Sequence, residues 1–121
     1  MAVTINPLGL SGALRVIIDT DVDNTLEANV NDGAATVYAI ELDNTANGAA
    51  SYFKAYNAAT AVIGTTDPDL VLMVLASVTR TFVFPGGLAF GTGLSYGGVT
   101  VGGTTGTTSP TNNMIARIVV A

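Results

Sequence analysis

Apolar and polar residues alternate with a period of two along several short segments of this chain, which is typical of half-buried β-strands. The alternation is clearest in residues 36–43 (TVYAIELD), 51–57 (SYFKAYN) and 78–84 (VTRTFVF). Turn-forming Gly, Pro, Asn and Asp separate these segments. The pattern therefore predicts strands joined by turns.

Shorter apolar segments predict the remaining strands, at residues 14–18, 70–75, 95–101 and 114–120. Seven to eight strands at roughly 8–15-residue spacing, with no convincing long helix, predict an all-β fold: an antiparallel β-sandwich, jelly-roll-like. Segment 70–75 is nearly all apolar and is expected to be a strand buried on both faces, with a short helix as the alternative. Segment 114–120 is expected to pair inside a sheet.

The segment 78–93 carries the densest apolar sequence and is predicted to be a hairpin that turns at the Pro-Gly-Gly of residues 85–87. On the 51–57 strand, Phe53 is expected to face inward and Lys54 outward, with its ammonium in water. The Gly/Thr/Ser-rich residues 102–113 predict a surface loop that is mobile unless a partner orders it. The predicted core residues are Tyr38, Ile40, Leu42, Phe53, Phe82, Phe84, Phe90, Ile115 and Val119.

A chain of 121 residues predicts one domain. We expect a sandwich over residues 14–121 and an arm over residues 1–13, whose Gly and Pro separate single aliphatic residues. Ala, Gly and Thr supply 48 residues, and such small side chains bury little apolar surface. We therefore expect an oligomer, or a protein docked on a larger assembly. The predicted interface residues of the arm are Val3, Ile5, Leu8 and Leu10.

The chain has a net charge of −5, and its four basic residues are scattered. Nucleic acids and anionic membranes need clustered positive charge, so neither is an expected partner. Cys and His are both absent, which removes thiolate and imidazole ligands and the usual general base near neutral pH. The Ser residues thus lack a His to activate them. We expect no catalytic residues, no cofactor and no enzymatic activity.

The strongest candidate for chemistry is an acidic stretch with Asp19, Asp21 and Asp23 at alternate positions and Glu27 nearby. Such oxygen ligands suit calcium and match the start of an EF-hand loop, but the Gly and Glu of that motif are missing. A solvated acidic loop is the alternative. The pair Asp67 and Asp69 flanks Pro68, which favours a turn over an acid–base pair. Four tyrosines could form a sugar-stacking platform, and the alternative is ordinary packing or a subunit interface: Tyr38, Tyr52, Tyr56 and Tyr96.

Several motifs resemble small structural proteins of tailed bacteriophages. The matching segments are AIELDNTA (39–46), SYFKAYNA (51–58), GTTDPDLVLMV (64–74), FPGGLAFGTGLS (84–95) and TGTTSP (105–110). They span about two thirds of the chain, FPGGLAFGTGLS is the most specific of them, and the first 35 residues carry no match.

The resemblance implies a virion β-sandwich with a structural role. We expect a capsid decoration (cement) protein on the phage head surface, a homotrimer that bridges subunits of the major capsid protein. The first alternative is a tail or fibre-associated virion protein that binds polysaccharide through Tyr38, Tyr52 or Tyr56. The second is a carbohydrate-binding β-sandwich module that uses calcium at the acidic stretch.

Overall fold

The computed structural model describes residues 3–7 and 14–121, apart from the side chain of Pro7. The described residues form eight strands in two antiparallel sheets and contain no helix, which confirms the predicted all-β sandwich. The strands are β1 (Val3–Pro7), β2 (Arg15–Val22), β3 (Ala35–Asp43), β4 (Ser51–Asn57), β5 (Leu70–Val74), β6 (Thr79–Phe90), β7 (Leu94–Val99) and β8 (Met114–Val120).

The larger sheet has the strand order β1-β2-β8-β3-β6, and the smaller sheet has the order β5-β4-β7. Strand β8 pairs with β2 on one side and β3 on the other, so the final strand lies inside a sheet as its Val and Ile content predicts. The core lies between the sheets, where Phe53 stacks on Tyr96 with ring centroids 5.0 Å apart. The apolar faces of both sheets are thereby removed from water.

Among the predicted core residues, Ile40, Leu42, Phe53 and Phe90 are buried. Phe82 and Phe84 are half-buried and pack against the core. The other three predicted core residues are only half-buried: Tyr38, Ile115 and Val119.

These three side chains are not fully buried, for a different reason in each strand. In β3 the register shifts between Val37 and Ala39, so Tyr38 is an extra, bulged residue and Val37 takes the inward position. In β8 the alternation places Met114, Ala116, Ile118 and Val120 inward, which turns Ile115 and Val119 to the other face.

The predicted hairpin at residues 78–93 is wrong. Residues 79–90 form one continuous strand, β6, which pairs with β3 along its length at the edge of the larger sheet. Val37 lies opposite Leu88 and Ala39 opposite Val83, so residues 84–87 of β6 face Tyr38 alone. The Pro-Gly-Gly sequence therefore lies in a four-residue bulge within a strand, at residues 84–87. Gly86 and Gly87 adopt the positive φ that this bulge requires.

Strand β5 is exposed on one face, which corrects the expectation that it is buried on both. Leu72 and Val74 point into the core, whereas Val71 and Met73 point to solvent. Among the described strands, β5 pairs with β4 only and is an edge of the smaller sheet. An apolar edge strand that is half in water is uncommon in a monomer.

Part of the predicted arm belongs to the sandwich. Val3–Pro7 form β1, which pairs with β2 and extends the larger sheet, so the sandwich does not begin at residue 14. Val3 packs against the core, and Ile5 is about half exposed. Leu8 and Leu10 lie outside the described residues.

Two loops cover the outer face of the smaller sheet over β4 and β7 and leave β5 exposed. The first carries Ile63, which contacts the sheet at Gly97, and the second carries Gly106, whose carbonyl accepts a 3.2 Å hydrogen bond from Lys54 Nζ. Lys54 is therefore fully buried, contrary to the expectation of a solvated ammonium, and burial lowers its pKa. The second loop is also tied down by the hydrogen bonds from Thr100 N to Thr108 O and from Asn24 Nδ2 to Thr107 O.

Candidate functional site

The acidic stretch is not a free loop, because its first residues belong to β2. Asp19 shares the inward face of β2 with Ile17, and both are fully buried. The pairing of β2 with β8 is irregular between Asp19 and Val22, and this irregularity returns Val22 to the core. A carboxylate is thereby held inside the sandwich.

Glu27 reaches the same place from the loop that follows β2. Its backbone forms an isolated bridge with Tyr96 of β7, with N···O distances of 2.8 Å from Glu27 N to Tyr96 O and 3.0 Å from Tyr96 N to Glu27 O. The Glu27 side chain is only 2% exposed. The backbone bridge thus fixes a second buried carboxylate beside β7.

Asp19, Asp21 and Glu27 form one cluster, which we call the acidic cluster. One carboxylate oxygen from each of the three lies within 4.8 Å of the other two. The Tyr96 hydroxyl donates to Asp19 Oδ2 at 2.8 Å, and the Asp21 amide donates to Asp19 Oδ1 at 2.9 Å. Glu27 Oε2 is buried and accepts no hydrogen bond. The cluster thus combines the hydrogen-bonded oxygens of Asp19 with a Glu27 oxygen that has no hydrogen-bond donor.

Burial dominates the electrostatics of the acidic cluster. It raises the pKa of Asp19 to about 6, with a further contribution from the neighbouring Asp21 carboxyl group. Burial also raises the pKa of Glu27 to about 7, and the negative charges of Asp19 and Asp21 act in the same direction. Burial and the charge of Asp19 raise the pKa of the Tyr96 hydroxyl, which therefore stays a hydrogen-bond donor.

Two of the three predicted calcium ligands, Asp19 and Asp21, lie in the acidic cluster, and the third, Asp23, does not. Asp23 is absent from the acidic cluster, and its Oδ1 accepts a 2.9 Å hydrogen bond from the amide of Thr25. Glu27 takes the third place. No local motif marks this residue, since it joins Asp19 and Asp21 only when the loop after β2 bridges to β7.

The other candidate groups do not form sites. Tyr56 and Tyr96 are fully buried, and Tyr38 and Tyr52 lie on different sheets, so the four tyrosines form no shared platform. Asp67 Oδ1 accepts a hydrogen bond from Thr104 Oγ1, and Asp69 Oδ2 accepts one from Asn57 N, both at 2.6 Å. These carboxylates brace loops, as the turn interpretation of residues 67–69 predicts.

No protein-family model, curated protein or solved structure matches this chain. No ligand-sized pocket opens among residues 3–7 and 14–121. In the same part of the chain, no helix has the length and apolar character that a membrane span requires.

Proposed function

We propose that this chain is a virion structural protein, a capsid decoration protein that binds between major capsid subunits on the surface of a phage head. The motif resemblance in residues 39–110 supports the class of protein. The observation that carries the docking role is the exposed apolar row of β5 and the residue after it. Val71 and Met73 are 38% and 40% exposed, and Leu75 is 56% exposed.

This row has the properties of a surface that another chain covers. The three side chains alternate with Leu72 and Val74, so they project from one face of an edge strand. Val78 adds a further exposed apolar side chain just beyond the strand. Contiguous apolar surface on an edge strand promotes association, and a protein docked on a shell or on its own copies would keep it from water.

The proposed mechanism is thermodynamic. A decoration protein that binds the assembled shell and not its free subunits stabilises the shell by mass action. A specific contact needs about 800 Å² from each partner, so the β5 row would be the centre of a larger patch. Self-association into a trimer would multiply the contacts with the shell.

Binding to purified heads tests the proposal. The recombinant chain should sediment with mature heads of the phage that encodes it, and quantitative mass spectrometry of those virions should count hundreds of copies. Tens of copies or fewer would instead place the chain in a tail. Light scattering should give three times the 12.2 kDa of one chain.

A matched pair of variants tests the docking surface. Met73→Lys places a charge in the β5 row and should lower occupancy on heads at least about tenfold, or 1.4 kcal/mol. Val62→Lys is the control, because Val62 is 61% exposed on the loop between β4 and β5. Both variants should retain the far-UV circular dichroism of the wild type. Equal occupancy for Met73→Lys and Val62→Lys would contradict docking through β5.

A further inference from the structure

We infer that the acidic cluster of Asp19, Asp21 and Glu27 is a binding site for a divalent cation of the calcium class. This inference is independent of the proposed virion role, since it depends only on the interior of one chain. Its basis is the convergence of three carboxylates from β2 and the loop bridged to β7, with their oxygens within 4.8 Å of one another.

The unsatisfied oxygen of Glu27 is the second observation. A buried carboxylate oxygen without a hydrogen-bond donor is unfavourable, and native proteins rarely retain one without a reason. Glu27 is only 2% exposed, and one oxygen of its carboxylate lies close to those of Asp19 and Asp21. No Lys or Arg of the described residues forms a salt bridge with Asp19 or Glu27. A cation bound by the Glu27 carboxylate would compensate its unsatisfied oxygen and would also neutralise the negative charge of the cluster.

The arrangement around Asp19 is that of a ligand held in place by its neighbours. Its two oxygens accept hydrogen bonds from the Tyr96 hydroxyl and the Asp21 amide, which fixes the plane of the carboxylate. A carboxylate has about four acceptor positions, so both oxygens keep capacity for a metal. Tyr96 is therefore a positioning residue for the site, in the manner of hydrogen-bonded partners around known metal ligands.

Calcium suits this arrangement better than magnesium. Calcium accepts irregular sets of six to eight oxygens at 2.3–2.6 Å, including backbone carbonyls, whereas magnesium requires a near-octahedral set at 2.0–2.1 Å. The ligands come from an irregular strand end and a loop, which do not impose octahedral geometry.

Thermal unfolding of the full chain, treated with EDTA and then given calcium chloride, tests the inference. Addition of about 1 mM calcium should raise the Tm of the wild type by at least about 5 °C. The same concentration of magnesium should give a clearly smaller rise. An absence of any calcium-dependent rise would overturn the site, and a magnesium effect equal to that of calcium would overturn the choice of ion.

Two conservative variants locate the site. Glu27→Gln should abolish the calcium-dependent rise in Tm while the chain still folds in EDTA, because the substitution removes a buried charge and keeps the shape. Asp23→Asn is the matched control and should retain the rise, since Asp23 is outside the cluster and its Oδ1 can still accept the hydrogen bond from Thr25. Retention of the rise in Glu27→Gln, or its loss in Asp23→Asn, would overturn the assignment of ligands.

Terbium luminescence gives a readout that stability alone does not. Terbium replaces calcium at oxygen sites and emits when a nearby tyrosine is excited, and the Tyr96 hydroxyl lies 2.8 Å from Asp19 Oδ2. Tyrosine-sensitised emission should appear on addition of terbium, should be displaced by excess calcium, and should fall severalfold in Tyr96→Phe and in Glu27→Gln. Emission that persists unchanged in Glu27→Gln would show that terbium binds elsewhere and would contradict the site.

Discussion

The four-residue bulge of β6 contains two glycines, and substitutions at them separate the cost of backbone strain from the cost of steric crowding. Gly86 and Gly87 both have left-handed φ values, +80° and +87°. A Cβ added at Gly86 would meet no atom within 4 Å, whereas one at Gly87 would lie 2.4 Å from Thr36 Cγ2 and 3.0 Å from Tyr38 Cε1. Substitution by Ala therefore imposes the same backbone strain at both positions and adds crowding at Gly87 alone.

The magnitudes follow from this difference. Gly86→Ala should destabilise the fold by about 1 kcal/mol, because left-handed backbone costs Ala about 1–2 kcal/mol and the reduced entropy of the unfolded chain offsets about 0.4–1 kcal/mol. Gly87→Ala adds about 1–3 kcal/mol of overpacking, since the β-branched Thr36 side chain has few alternative rotamers. We expect a total of about 2–4 kcal/mol for Gly87→Ala.

Thermal unfolding followed by far-UV circular dichroism measures both losses, with urea midpoints as a check. At about 4 °C per kcal/mol for a domain of this size, Tm should fall by about 4 °C for Gly86→Ala and by about 8–16 °C for Gly87→Ala. Thr36→Ser removes the crowding methyl group. In a double-mutant cycle with Gly87→Ala it should recover at least about 1 kcal/mol. Equal losses at the two glycines, or no coupling to Thr36, would refute the packing of this bulge against β3.

Three further predictions concern buried and exposed charges. Lys54→Met should leave stability unchanged or raise it by about 1–2 kcal/mol, because Lys54 is buried with one backbone carbonyl as its hydrogen-bond partner among the described residues. Since burial lowers the pKa of Lys54, the unfolded chain holds this proton to higher pH. In the alkaline range just below the ordinary value of 10.5, wild-type stability should thus rise with pH, and this rise should vanish in Lys54→Met. A large loss of stability in that variant would contradict the reasoning. In EDTA the pKa of Asp19 lies at about 6 instead of 3.8 and that of Glu27 at about 7 instead of 4.5, so the folded chain binds more protons than the unfolded chain between these values. Stability should therefore fall as pH rises from about 4 to about 7, and a slope unchanged in Glu27→Gln would count against this. Arg117→Ala should cost less than about 1 kcal/mol in urea unfolding, since its 2.9 Å ion pair with Glu41 is exposed, and a larger loss would show that the pair is not screened by solvent.

The acidic cluster shows how far local sequence can locate a site. The alternation of Asp19 and Asp21 predicts oxygen ligands close together, and the structure keeps both in the cluster. The third member was predicted as Asp23 because that position continues the alternation. Glu27 replaces it because a backbone bridge to Tyr96, 69 residues further along the chain, brings the loop back to β2. Spacing along one strand carries no information about such a contact.

The positions of the strands are largely a property of the sequence, since a period of two in apolar residues records one buried and one wetter face. That local signal located β4 and β8 to the residue and β3 to within one residue. Which face of a strand is buried, and whether Pro-Gly-Gly is a turn or a bulge, depended on pairing partners distant in the chain. The extra residue at Tyr38 is a feature of the β3–β8 pair, and the bulge at residues 84–87 is a feature of the β3–β6 pair, so no single strand specifies them. A one-residue change of register reverses every side chain that follows, and only the closed sandwich selects the register that buries the most apolar surface.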